Sequence, residues 1–202
     1  MRILILSNNS GGLFCFRGAL IRQLNYLGHE IYVATSFDDN IRELSKITKE
    51  LIETPIDRRG MDPIRDAKLL ANYFNLISRV KPDKVITYTI KPNIYGCFVC
   101  CIKKIDAYAN VTGLGTAFQG DGLLTKIVTF MYKIAFKRVK KVFFENKENR
   151  DIIVSKGIIN KERTHCLKGA GVDLEEYRIA EYPKNGTIKF LFIGRIMKEK
   201  GI

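Results

Sequence analysis

The sequence predicts an α/β fold: a doubly wound parallel sheet with helices packed on both faces. Short apolar runs rich in β-branched residues recur along the chain, and longer segments with helical periodicity separate them. Strands that alternate with helices make a parallel sheet. With 202 residues and 46% hydrophobic content, the chain is long and apolar enough to bury a sizeable core.

The strands are expected at 3–6, 31–34, 84–88, 107–111 and 141–144, with weaker candidates at 50–54 and 164–168. Helices are expected at 13–27, 62–80, 93–103, 122–137 and 147–156, the last closed by Gly157 as a C-cap. From 174 to 186 the sequence LEEYRIAEYPKNG turns polar, carries Pro183 and an Asn-Gly turn, and reads as a linker. The apolar run 188–193, ended by Gly194-Arg195, then starts a second domain. The expected organisation is a domain at 1–173, a linker at 174–186, and the first strand and loop of another domain at 187–202.

Charge narrows the partners. Lys and Arg number 34 against 21 Asp and Glu, a formal charge of +13, which favours anionic partners such as phosphates, acidic lipid headgroups or nucleic acid. No helix-turn-helix, zinc-finger or aromatic RNA-binding signature accompanies that charge, so nucleic acid ranks below lipid phosphate. Cys97, Cys100 and Cys101 sit in an apolar stretch without the second pair that a zinc site needs, and read as reduced core thiols. No secretory signal follows Met1-Arg2, and no apolar run approaches the ~20 residues that span a bilayer.

Ligands of open parallel sheets gather at the carboxyl ends of the strands, where helix N-termini offer unpaired N–H groups. Two loops there are candidates. SNNSGGLF places Gly11 and Gly12 between the first strand and first helix, either for close approach to a phosphate or sugar or for a tight turn; its spacing is not the dinucleotide fingerprint. NVTGLGTAFQGDG follows the fifth strand with four glycines, and Thr112 and Thr116 beside Gly113 and Gly115 offer hydroxyls suited to a sugar or phosphate. Lys91 and Asn93, in TIKPNIYG after the fourth strand, add a cation and an amide on the same edge, with a solvated turn as the alternative.

The segment LLTKIVTFMYKIAFKRVKK has a different pattern. On a helix, Lys126, Lys133 and Lys137 form a basic stripe that Arg138 extends, and apolar side chains cover an arc of about 200°, wider than packing on the sheet requires. Part of that arc faces either an anionic membrane surface or a second domain.

The segments MRILILSNNSGG, LKGAGVDLEEY and FLFIGRIMKEKGI together resemble the retaining GT-B glycosyltransferases of the family-4-like type, typified by bacterial capsule, exopolysaccharide and O-antigen enzymes. NVTGLGTAF is similar to members that extend sugars on an undecaprenyl diphosphate carrier. The resemblance implies two Rossmann-like domains facing across a cleft, this chain holding the N-terminal acceptor half and the start of the donor half. It implies a nucleotide-diphosphate sugar as substrate, no cofactor or metal, a lipid-linked glycan acceptor, and a peripheral place on the inner face of the cytoplasmic membrane. By the same resemblance, Arg195 and Lys200, with Lys198 as neighbouring candidate, hold the donor diphosphate, and Gly11 and Gly12 lie near it. Gly169, Gly171 and Asp173 match a structural G-x-G-V-D segment. In that resemblance the fixed cations Arg195 and Lys200 stabilise the charge that builds on the leaving diphosphate.

Two features depart from the family pattern. Neither His29 nor His165 lies on the loop after the fifth strand, where many relatives carry a histidine. The paired glutamates of the donor half do not occur within the 202 residues, so the catalytic groups stay unassigned and these residues alone are expected to be inactive. A nucleotide-sugar epimerase of the same architecture and a non-catalytic membrane or partner-binding module are the alternatives.

Overall fold

The structure, a computed structural model, describes residues 1–57, 60, 62–115, 118, 122–175, 177–182, 186, 188–194 and 196. The chain divides into two units, Met1–Gly171 and Val172–Ile202. The first unit is built on seven parallel strands: β1 (Arg2–Leu6), β2 (Glu30–Thr35), β3 (Glu50–Glu53), β4 (Lys84–Tyr88), β5 (Asp106–Val111), β6 (Lys141–Phe144) and β7 (Thr164–Cys166). Their order is β3-β2-β1-β4-β5-β6-β7, so the chain adds strands outward from β1 to one edge and then, from β4, to the other.

The helices follow that reversal. α1 (Ser10–Tyr26) and α2 (Ile41–Lys46) cover one face, packing Leu13, Ile21 and Leu44 on Ile3, Ile5, Ile31 and Val33. α3 (Pro63–Val80), α4 (Cys97–Lys103), α5 (Leu123–Ala135) and α6 (Lys147–Ser155) cover the other, where Tyr73, Val99, Tyr132 and Ile153 meet Leu4, Leu6, Val85, Ala109 and Phe144. Alternate residues of β1 thus feed two different cores, which is why its apolar run is continuous. In the register of β1 with β4, Ile3 lies opposite Lys84 and Ile5 opposite Ile86.

Local chemistry sets several boundaries. Asp62 caps α3 by accepting from the N–H groups of Ile64 (2.9 Å) and Arg65 (3.4 Å), with Pro63 in the first turn, where its missing N–H costs nothing. Asn146 caps α6 through the Asn149 N–H at 2.8 Å. Gly157 ends it at φ +64°, a conformation that glycine adopts without strain. Cys97 and Cys100 are buried against the sheet, and burial pushes the Cys97 thiol up to about 12.

The structure differs from the sequence-based expectation in several places. α1 begins at Ser10, so Gly11 and Gly12 form its first turn and do not precede it. The helix expected at 93–103 starts as a π-helical turn, Pro92–Gly96, whose wider spiral carries Asn93 into the interior. The helix expected at 122–137 ends at Ala135 and tightens into a 3₁₀ turn over Phe136–Arg138. Residues 188–193, expected as a strand, have no ladder partner among the described residues, and Phe190 is 95% exposed. A strand needs a neighbour to take its N–H and C=O groups, and an apolar run alone does not supply one. α2 has no counterpart in the sequence reading, because six residues are too few for periodicity to declare itself.

Candidate functional site

At the centre of the sheet, where β1 lies beside β4 and the direction of strand addition reverses, the carboxyl ends of the strands open into a cleft of about 270 Å³. Ser7 and Asn9 follow β1, Tyr88 and Thr89 close β4, and Thr112 and Glu145 follow β5 and β6. The first two turns of α1 add Gly12, Leu13, Phe16 and Arg17, and Ala170 completes the lining.

Arg17 is 8% exposed, and burying a guanidinium requires partners. It donates to Glu145 Oε1 at 2.5 Å, and its guanidinium carbon stands 5.3 Å from the centroid of the Tyr88 ring. Burial pushes the Tyr88 phenol up to about 12; the Arg17 charge opposes this and the Glu145 charge adds to it. Thr89 has φ +72°, rare for a β-branched residue and costing about 1–3 kcal/mol. The Asn93 N–H donates to the Thr89 carbonyl at 3.0 Å and the Thr89 hydroxyl bonds the Tyr88 carbonyl, which holds the turn. Strain of this kind persists where surrounding structure over-determines it, and here it lies on the cleft wall.

The glycine pair divides. Gly12 lines the cleft, and a Cβ there would stand 3.0 Å from the Asn9 side chain. Gly11 does not: its N–H donates to Asp38 Oδ1 at 2.8 Å, and a Cβ would stand 3.0 Å from that of Asp39. Asp38 thus takes the anion's place at the start of α1, with Ser10 Oγ 2.7 Å from the same oxygen. Partial burial opposes its ionisation, but the hydrogen bonds from Gly11 and Ser10 outweigh that and hold its carboxyl well below the usual carboxylate range.

Of the loop residues, Thr112 lines the cleft, while a Cβ on Gly113 would meet open space. Gly115 sits at φ +63° against Ile90. Asn93 corrects the expectation of a sugar contact. It is 1% exposed; its carbonyl accepts from the Thr87 hydroxyl at 2.7 Å, and its amide donates to the Asn110 carbonyl at 2.9 Å. It ties β4 to β5 and does not face the cleft. Lys91 also lies elsewhere, paired with Asp66 at 2.6 Å in a separate polar cavity that Ser36, Asp57, Arg65 and Lys68 share. Thr116, Gly120, Arg195, Lys198 and Lys200 lie outside the described residues.

Arg17 and Glu145 escape the sequence reading. Their only signal along the chain is a lone arginine at a core-facing position of the first helix and a glutamate directly after the sixth strand; neither declares a site until the sheet brings them together.

Away from the cleft, α5 buries Thr125, Tyr132 and Ala135 and exposes Leu123, Ile127, Phe130 and Ile134 as an apolar ridge. Lys126, Lys133 and Lys137 are exposed beside it, and Arg138 is exposed in the following turn. Among the described residues, no helix is long and apolar enough to cross a membrane.

A doubly wound parallel sheet with its cleft at the switch point is the Rossmann-like architecture of a GT-B domain. The chain belongs to the glycosyl transferase 4-like family, whose model matches residues 2–146. It is similar, at 26% identity over 186 residues, to the N,N'-diacetylbacillosaminyl-diphospho-undecaprenol alpha-1,3-N-acetylgalactosaminyltransferase of Campylobacter jejuni, covering 88% of this chain and 48% of that one. Similar solved structures include Anabaena HepE in complex with UDP and glucose, at 15% identity and TM-score 0.63, covering 89% of this chain and 47% of that one. The S. aureus MnaA-UDP co-structure matches at 14% identity and TM-score 0.62, covering 92% and 50%. The UDP-GlcNAc 2-epimerase from Methanocaldococcus jannaschii matches at 14% and 0.60, covering 82% and 45%. The chain therefore spans about half the length of these proteins.

Proposed function

We propose that this chain is the acceptor-binding half of a retaining glycosyltransferase. The enzyme moves a sugar from a nucleotide-diphosphate sugar to an undecaprenyl-diphosphate-linked glycan in bacterial surface polysaccharide synthesis, such as capsule, exopolysaccharide or lipopolysaccharide. The observation that carries this reading is similarity to a transferase that acts on a diphospho-undecaprenol substrate, running over 88% of the chain. Family membership favours transfer over epimerisation, since the likeness to epimerases is one of fold.

In this reading the acceptor hydroxyl attacks the anomeric carbon on the face from which the diphosphate leaves, and positioning with charge stabilisation supplies most of the catalysis. The new C–O bond forms as the bond to the diphosphate breaks, and the departing diphosphate keeps the electron pair. Arg195 and Lys200 stabilise the leaving group without a metal or cofactor, and Gly12 lets the first turn of α1 approach the reactants. The apolar ridge and lysines of α5 seat the protein on the anionic inner face of the cytoplasmic membrane, where its lipid-linked acceptor resides.

The test incubates the protein purified from its own cells with nucleotide sugars and a synthetic polyprenyl-diphosphate-linked sugar. The expected product is the acceptor heavier by one sugar residue, with the donor's anomeric configuration by NMR. Epimerised nucleotide sugar formed without acceptor would replace this reading with the epimerase one.

A further inference from the structure

Glu145 and Arg17 make an asymmetric pair. Arg17 fixes Glu145 Oε1 at 2.5 Å and is itself held against the Tyr88 ring, so the carboxylate cannot swing freely. No hydrogen-bond donor among the described residues reaches Oε2, while the Glu145 side chain keeps 29% of its surface open at the cleft. The residue before Arg17 in α1 is Phe16, 64% exposed and lining the same cleft. An exposed phenyl ring beside a clamped carboxylate calls for a ligand with an apolar face and hydrogen-bond donors.

An anionic ligand fits poorly. The Arg17 charge is already matched by Glu145, so a phosphate or carboxylate would meet the negative oxygen with no other cation among the described lining residues. A neutral sugar ring fits, because it brings hydroxyl donors on its edge and C–H groups on its face. Resting on the acceptor-half reading above, we propose that Glu145 Oε2 accepts a hydrogen bond from a hydroxyl of a neutral acceptor sugar whose C–H face lies on Phe16. Arg17 is the positioning residue that aims the carboxylate. Tyr88, whose ring stands 5.3 Å from the Arg17 guanidinium carbon, directly precedes the left-handed turn at Thr89.

The test titrates the intact protein, without nucleotide, with the methyl glycosides of N-acetylglucosamine, N-acetylgalactosamine and glucuronic acid, read by saturation-transfer NMR. A neutral glycoside binds and the glucuronide does not. Glu145→Gln weakens that binding about 10-fold through loss of a charge-assisted hydrogen bond. Phe16→Ala weakens it several-fold and leaves the melting temperature unchanged, since Phe16 is exposed; it keeps the test decisive if Glu145→Gln fails to fold. Neutral glycosides bound equally by the wild type and both variants would overturn this subsite and leave the acceptor-half reading intact. A glucuronide bound as tightly as the neutral sugars would overturn the proposed ligand class. Failure of every glycoside to bind would overturn this subsite, and the reading it rests on falls separately, if the transfer assay above gives epimerised nucleotide sugar and no extended acceptor.

Discussion

Asn93→Ala separates a sugar contact from a structural clamp. The side chain is 1% exposed and makes two hydrogen bonds, accepting from Thr87 Oγ1 at 2.7 Å and donating to the Asn110 carbonyl at 2.9 Å. Truncation removes both bonds from buried partners, at about 1–3 kcal/mol for each group left unsatisfied. The Thr87 hydroxyl has a fallback 3.4 Å away at Cys97 Sγ, so its share falls at the low end. With the lost bond to the Asn110 carbonyl added, the total is about 3 kcal/mol. Urea unfolding followed by circular dichroism measures it, and the midpoint falls while the slope is unchanged. A Thr87→Val background supplies the second arm: with the hydroxyl already gone, Asn93→Ala costs about 1 kcal/mol less than in the wild type. Glycoside binding, measured on the folded fraction, changes little. Loss of binding with less than about 1 kcal/mol of destabilisation would refute the clamp and return Asn93 to the acceptor site.

Three further outcomes are expected. Gly96→Ala places a Cβ 2.6 Å from Leu6 Cδ1 and 3.2 Å from Thr87 Cγ2, both in the core, and lowers stability by about 1–2 kcal/mol by thermal melting even after the gain in helix propensity. The Tyr88 phenol is neutral in the folded state up to about 12, whereas an unfolded tyrosine ionises near ~10. The folded state thus holds the proton more tightly, and its contribution, fully present below pH ~10, is lost as pH rises towards 12. The phenolate absorbance difference between wild type and Tyr88→Phe rises near 12 and not near ~10 if this is right. Lys133→Glu combined with Lys137→Glu removes two cations beside the α5 ridge and, at about 1 kcal/mol each, weakens binding to anionic vesicles about 30-fold or more. Unchanged sedimentation with vesicles would remove α5 from the membrane assignment.

Much of the architecture is legible along the chain. The runs at 3–6, 31–34, 84–88, 107–111 and 141–144 all lie in strands, because a strand of a parallel sheet is buried on both faces and leaves a dense β-branched signature. The glycine-rich loops at the ends of β1 and β5 are legible too, since ligands of this fold gather at the carboxyl ends of its strands, and Gly12 and Thr112 do line the cleft. What the sequence alone determined was the fold class, the family and the side of the sheet that carries the cleft, since each rests on local periodicity or on a contiguous motif. Tertiary structure decided which polar side chains face that cleft. Gly11 is occupied by Asp38, 27 residues away; Asn93 is turned inward by a π-helical turn; and Arg17 meets Glu145 across 128 residues. Such partnerships are set by which strands lie side by side, and no periodicity in the chain records that order.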